Sequence, residues 1–116
     1  MKIRIKGNSI RYRLTKTDVD QFNKAYYLAE STNFGSTQLI YALEAKEQDA
    51  VTTSFIDNKI TVTVPIAKAV ELAKTDTVGF DGKDGELYLL IEKDFKCLDD
   101  VAEDQSDNYP NPLAAK

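Results

Sequence analysis

Lys2-Ile3-Arg4-Ile5-Lys6-Gly7-Asn8-Ser9-Ile10-Arg11-Tyr12-Arg13-Leu14 is the stretch whose reading decides the fold. Charged and apolar residues alternate on both sides of Gly7-Asn8, and period-two alternation marks half-buried strands. Gly7-Asn8 tolerates the positive φ of a two-residue hairpin turn, and so short a loop fixes the register. Ile5 then faces Ile10, Ile3 faces Tyr12, Arg4 faces Arg11 and Lys2 faces Arg13. Apolar pairs match on one face and cations on the other.

The pattern returns farther along. Residues 51–56 and 59–64 flank Asp57-Asn58, so that Phe55 faces Ile60, Thr53 faces Val62 and Val51 faces Val64. A short helix is predicted after each hairpin. Thr15 or Thr17 can cap the first, Asp18 and Asp20 suit its first turn, and Val19 and Phe22 form its apolar side. Pro65 opens the second at the position where a missing N–H costs least. Ala69, Val70 and Leu72 supply its apolar side. Strands are predicted at 26–30 and 38–44 after the first helix, around a turn at 33–36. After the second they are predicted at 77–80 and 87–92, around a turn at 81–85.

Residues 8–14 align with 58–64 at an offset of 50, and 39–44 align with 87–92 at an offset of 48. The expectation is two copies of one strand–strand–helix–strand–strand unit, at 1–46 and 51–94, followed by an acidic C-terminal arm at 95–116. A unit of that size buries too little surface to stand alone. The expected fold is therefore mainly β with two short helices, the duplicated units sharing one core as a pseudo-two-fold barrel or sandwich.

The 116 residues are 42% hydrophobic, enough for a core. The net charge of −4 hides an uneven distribution. Lys2, Arg4, Lys6, Arg11, Arg13 and Lys16 all precede the first acid, Asp18. Between Cys97 and Asn111 the balance reverses, with Asp99, Asp100, Glu103, Asp104 and Asp107 and no cation. A basic head and an acidic tail point to polyanion contact at one end and to solvation or docking onto cations at the other. Cys97 is the one cysteine, so no intramolecular disulfide forms. The N-terminal stretch lacks the apolar region of a signal peptide, and no apolar stretch approaches about 18 residues. A cytoplasmic location is expected.

Catalysis finds little support. Without histidine no Ser-His or Cys-His pair can form. Acids near Cys97 would raise its thiol pKa, which fits packing better than nucleophilic attack. Asp81-Gly82-Lys83-Asp84-Gly85 lacks the spacing of a calcium loop. The expectation is a non-enzymatic protein with no cofactor and no metal.

The basic ribbon is the main functional signal. Lys2, Arg4, Lys6, Arg11 and Arg13 share one face, and Arg4 opposite Arg11 is unfavourable unless an anion sits there. A two-stranded ribbon fits a DNA groove. If all five cations met phosphates, log affinity would fall with log salt at a slope of roughly −4 to −5. Two plainer readings stand beside this one: the cations keep an exposed face soluble, or they pair with the chain's own acidic arm. The equivalent face of the second hairpin, Thr52, Ser54, Thr61 and Thr63, is uncharged. In the arm, Asp104, Asp107, Tyr109 and Pro110 form a candidate partner-binding set; the plainer reading packs Tyr109 on the protein's own body.

Two hairpins around a short helix, with the Gly7-Asn8-Ser9 turn, the outward Arg13, the strand ending at Val64-Pro65 and Asp76-Thr77-Val78 opening a third strand, resemble the swapped-hairpin domain of AbrB-type transition regulators and MazE-type antitoxins. The resemblance implies two interlocked units that bind operator DNA, here supplied by one chain, which makes a monomer a natural expectation. It also implies that a C-terminal extension can engage a partner protein. The sequence departs from that pattern at Thr15, where the family usually places proline, and at Thr75-Asp76, where it usually has Gly-Asp. As a whole the chain also looks like a family of small uncharacterised bacterial proteins. Its marks are Lys6-Gly7-Asn8-Ser9, Glu92-Lys93-Asp94-Phe95 before Cys97-Leu98, and the stretch 103–112. That resemblance implies no activity.

Overall fold

The computed structural model describes residues 1–95 and 105–110. The first hairpin forms strands β1 (Lys2–Lys6) and β2 (Ser9–Leu14) in the register that its alternation dictates, with Lys2 opposite Arg13, Arg4 opposite Arg11 and Ile5 opposite Ile10. Gly7 takes φ +54° in the turn. Helix α1 (Lys16–Ala25) starts at Thr15, whose hydroxyl accepts from the Asp18 N–H at 3.2 Å. The Asp18 carboxylate accepts in return from the Thr15 N–H at 3.0 Å, a reciprocal capping box. Tyr26 closes the helix in the left-handed region, and its N–H donates to the Phe22 carbonyl. Strands β3 (Tyr27–Asn33) and β4 (Gln38–Lys46) then pair antiparallel.

The second half follows the same order: β5 (Thr52–Ile56), β6 (Lys59–Pro65), α2 (Ile66–Lys74), β7 (Gly79–Asp84) and β8 (Leu87–Lys93). Asp57 and Asn58 both take positive φ, as a two-residue hairpin turn of this twist requires. Phe55 faces Ile60 and Thr53 faces Val62.

The halves are interleaved. One sheet runs β1-β2-β8-β7 and the other β3-β4-β6-β5, so each takes one hairpin from each half. The two hairpins of a sheet meet through a parallel central pair. Ser9 pairs with Tyr88 across β2 and β8, and Lys59 pairs with Ile40 across β4 and β6. Ser9 and Lys59 are 50 residues apart, and Ile40 and Tyr88 are 48 apart, so the pairing obeys both offsets seen in the sequence.

The core lies between the sheets. Tyr12, Leu14, Leu43, Val62, Val64, Leu89 and Ile91 come from the strands, and Phe22 and Leu72 from the helices, all at most 1% exposed. Strand parity accounts for this, since each buried strand residue sits two positions from the next. Because β2 and β8 run parallel, as do β4 and β6, all four hairpin turns lie at one end of the molecule. Both helices, which follow the far ends of β2 and β6, pack together at the other end.

The observed architecture corrects four expectations. There is no closed barrel among the described residues: β5 and β7 meet edge to edge without a backbone ladder. Instead the Thr53 N–H and hydroxyl both donate to Asp84 Oδ2, at 2.8 and 2.7 Å. The stretch 81–85 is not a turn. β7 continues through Asp84, with the exposed Asp81 and Lys83 alternating with Gly82, and the turn is Gly85-Glu86 with Gly85 at φ +63°. Gly82 faces Val51, whose Cγ2 lies 2.9 Å from where a Cβ would stand, so the edge strand needs glycine to approach its neighbour. Pro65 ends β6 and precedes α2, with ψ 141°, rather than forming the first helical residue. β3 runs on to Asn33, past the predicted end at residue 30, because each added residue finds a partner on β4. No described helix is long and apolar enough to cross a membrane. Cys97 and Asp104 lie outside the described residues.

Candidate nucleic-acid interface

Outward side chains of β1 and β2 build a cationic face. Arg4, Lys6 and Arg13 are exposed, and none of their side chains has a hydrogen bond or ion pair among the described residues. Arg4 and Lys6 join Ser9, Arg11 and Leu90 around a cleft of about 260 Å³. The Ser9 hydroxyl donates to the Lys6 carbonyl at 2.8 Å, which holds the turn end of the cleft.

Two of the five candidate cations are partly committed. Arg11 is half-buried, and its Nε lies 3.0 Å from Glu92 Oε1. Arg11 lines the cleft while making that contact. Lys2 Nζ lies 3.2 Å from Oδ2 of the buried Asp94. The sheet explains both contacts. β8 lies beside β2, placing Tyr88, Leu90 and Glu92 level with Ser9, Arg11 and Arg13. β7 adds Asp81 beyond Leu90. The Tyr88 hydroxyl donates to Asp81 Oδ2 at 2.7 Å, and that bond pushes the phenol above its usual range. The face therefore grades from cationic at its β1 edge to mixed at its β7 edge. Reasoning on the hairpin alone missed Glu92 and Leu90, because no local signal pairs Arg11 with residues some eighty positions away.

The corresponding face of the second hairpin is uncharged apart from Lys59. Thr52, Ser54, Thr61 and Thr63 lie outward, and Lys59 is drawn across the sheet, its Nζ donating to the Tyr27 hydroxyl at 2.6 Å and lying 5.1 Å from the ring centroid.

The described part of the arm, 105–110, packs against the body. The Lys16 N–H donates to the Asp107 carbonyl at 3.0 Å, and the Thr17 hydroxyl donates to Asp107 Oδ1 at 3.1 Å. Hydrogen bonds from the Thr15 and Thr17 side chains hold the Asp107 carboxyl below its usual range. Tyr109 meets Phe95 in a tilted ring contact at 5.8 Å between centroids, and Lys93 Nζ lies 5.0 Å from the Tyr109 ring centroid. The Tyr109 N–H donates to the Asp94 carbonyl at 2.8 Å. Tyr109 and Pro110 also line a cavity of about 660 Å³ with Leu72, Val78 and Lys93. Asp107 and Tyr109 thus meet the protein's own body, near the helices and away from the cationic cleft. Among the described residues no group of three potential metal ligands comes together.

No curated protein and no solved structure matches the chain. The sequence profile of a family described as a family of unknown function, DUF7009, matches residues 1–113 of the 116, and the chain belongs to that family.

Proposed function

We propose that this protein is a non-enzymatic nucleic-acid binder that holds duplex DNA against the outer face of its first hairpin. The observation that carries the reading is the cleft between Arg4, Lys6 and Arg11. Arg4 and Arg11 stand directly opposite each other on neighbouring strands, and Arg4 and Lys6 have no counter-charge among the described residues. Arg11 already meets Glu92 at 3.0 Å, so the unmet repulsion, roughly 1 kcal/mol for two like charges in water, falls on Arg4 and Lys6, and a phosphate in the cleft would offset it. A chain selected only for solubility would sooner spread such charges than face them across a ladder.

The exchange of hairpins between the two halves supports the resemblance to AbrB-type and MazE-type domains, and with it both the proposed duplication and the DNA reading. A second reading, an antitoxin-like module acting through the arm, has less support. Asp107 and Tyr109 would have to give up their present contacts to meet a partner.

Fluorescence anisotropy with labelled duplex DNA tests the proposal. Three uncommitted cations plus part of Arg11 give an expected slope of log affinity on log salt of roughly −3, shallower than five full phosphate contacts would give. Arg4→Ala with Arg11→Ala should weaken binding at least tenfold, while Thr52→Ala with Thr61→Ala should leave it unchanged. Absence of binding at micromolar protein in low salt refutes the reading.

A further inference from the structure

The helix end of the core is closed by Val19, Phe22, Ala69 and Leu72, all buried. The turn end has no such cover. There the inner faces of the two sheets bound an apolar cleft of about 530 Å³, walled by Ile5, Ile10 and Leu39 from the first half and Phe55, Ile60 and Leu87 from the second. These are equivalent positions, Ile5 with Phe55, Ile10 with Ile60 and Leu39 with Leu87, so the cleft has an approximate two-fold symmetry of its own.

Large apolar side chains also crowd this end in the open. Ile5 is 56% exposed, Phe55 69%, Ile56 66%, and Phe34 in the adjoining β3–β4 loop 65%. The turns at this end are tied to one another. Asn8 Nδ2 donates to the Glu86 carbonyl at 2.7 Å, and the equivalent Asn58 Nδ2 donates to the Thr37 hydroxyl at 3.1 Å, each tying one turn to its neighbour in the sheet. Exposed apolar side chains gathered at one end of the molecule, Ile5 and Phe55 on the cleft itself, mark an interaction surface.

We propose that this end is the contact between two copies of the chain, joined turn end to turn end about a two-fold axis. The area fits. A phenylalanine offers roughly 200 Å², so the four exposed residues leave on the order of 500 Å² per copy, and the surrounding turns bring this towards the lower limit of a specific interface. The charge fits as well. The tip of the first hairpin carries Lys6, with no partner among the described residues. The tip of the second carries Asp57, while its Lys59 is turned away onto Tyr27. A two-fold contact that sets the first tip of each copy on the second tip of the other pairs Lys6 with Asp57 twice and covers both clefts. The patch is thus complementary to itself in charge. The inference shares Lys6 with the nucleic-acid reading, because a Lys6 engaged by Asp57 of the second copy is withdrawn from the cleft of Arg4 and Arg11, but sedimentation without nucleic acid tests the dimer by itself.

Sedimentation velocity over a range of about 1 to 500 µM tests it, the span in which an interface of this size associates. The mass should rise from the 13.0 kDa of one chain towards twice that value. Phe55→Glu should raise the dissociation constant at least tenfold. Lys6→Asp should weaken the dimer, and Lys6→Asp with Asp57→Lys should restore it. A monomer at every concentration overturns the proposal. So does a dimer indifferent to both Phe55→Glu and the charge exchange. If Phe55→Glu disturbs folding, as judged by its melting curve, the Lys6 and Asp57 substitutions at the hairpin tips decide alone.

Discussion

Cutting the chain between Glu47 and Gln48 tests the interleaving of its halves. The cut leaves Gln48 with the second half, where its side chain donates to the Ala50 carbonyl and the Thr52 hydroxyl. Neither fragment then retains a four-stranded sheet. Fragment 1–47 keeps β1-β2 and β3-β4 as separate hairpins, because β2 pairs with β8 and β4 with β6. Isolated two-stranded hairpins are marginal in water. The core residues Tyr12, Leu14 and Leu43 lose their neighbours Leu89, Ile91, Val62 and Val64. At about 1.5–3 kcal/mol for each side chain, the lost burial is on the order of 15 kcal/mol, as large as the whole net stability of an ordinary domain. Each fragment alone should therefore give a disordered circular dichroism spectrum and no cooperative melt. An equimolar mixture should recover the β signal and melt as one unit. A fragment that melts cooperatively by itself would refute the interleaved core.

Three further outcomes are expected. Thr15→Ala removes the α1 capping box and should cost about 1 kcal/mol, a fall in melting temperature of roughly 5 °C, measured by thermal denaturation. The Asp84 carboxyl is held below its usual range, first by the Thr53 hydroxyl and then by the Thr53 N–H. A depressed folded pKa gives stability that is present above the unfolded pKa of about 3.9 and is lost as pH falls through the folded value. Urea midpoints of the native protein should therefore fall below about pH 4 more steeply than those of Asp84→Asn, which starts lower and should show less of this loss. Gly79→Ala would set a Cβ 2.5 Å from the Ile91 carbonyl oxygen and 2.9 Å from the Glu92 Cα. Backbone atoms cannot give way cheaply, so this variant should lose more than about 1 kcal/mol in chemical denaturation, whereas Lys83→Ala on the exposed face of the same strand should lose less than about 0.5 kcal/mol.

Local features were readable from the residues alone. The register of both first hairpins follows from turn length and parity, and α1 begins at one of the two threonines that its capping pattern allows. Long-range features were not. Nothing near Arg11 in the chain announces Glu92, which reaches it through a parallel pair whose partners lie far apart in sequence. The stretch 81–85 carries two glycines and two aspartates, a turn composition, yet most of it is strand. Gly82 serves the close approach to Val51, and Asp84 serves as the acceptor that joins the sheet edges. The arm contacts of Asp107 and Tyr109 depend on where α1 and β8 end in space, which periodicity does not encode.

The departures from two-fold equivalence fall in one place. Inside the core, equivalent residues are apolar for apolar: Ile10 for Ile60, Tyr12 for Val62, Leu14 for Val64, Leu43 for Ile91. The exception is Ala45 for Lys93, and Lys93 is the residue whose ammonium donates to the Thr75 carbonyl at 3.0 Å and lies over the ring of Tyr109. On the outside, Arg4, Arg11 and Arg13 stand where the second hairpin has Ser54, Thr61 and Thr63. Both departures belong to the sheet β1-β2-β8-β7, and Asp94 links them. Its side chain meets Lys2 of the basic hairpin, its N–H donates to the Leu14 carbonyl, and its own carbonyl accepts from the Tyr109 N–H. Under the nucleic-acid reading proposed above, the Asp94 side chain on Lys2 would help keep the charges of this hairpin in place against a polyanion.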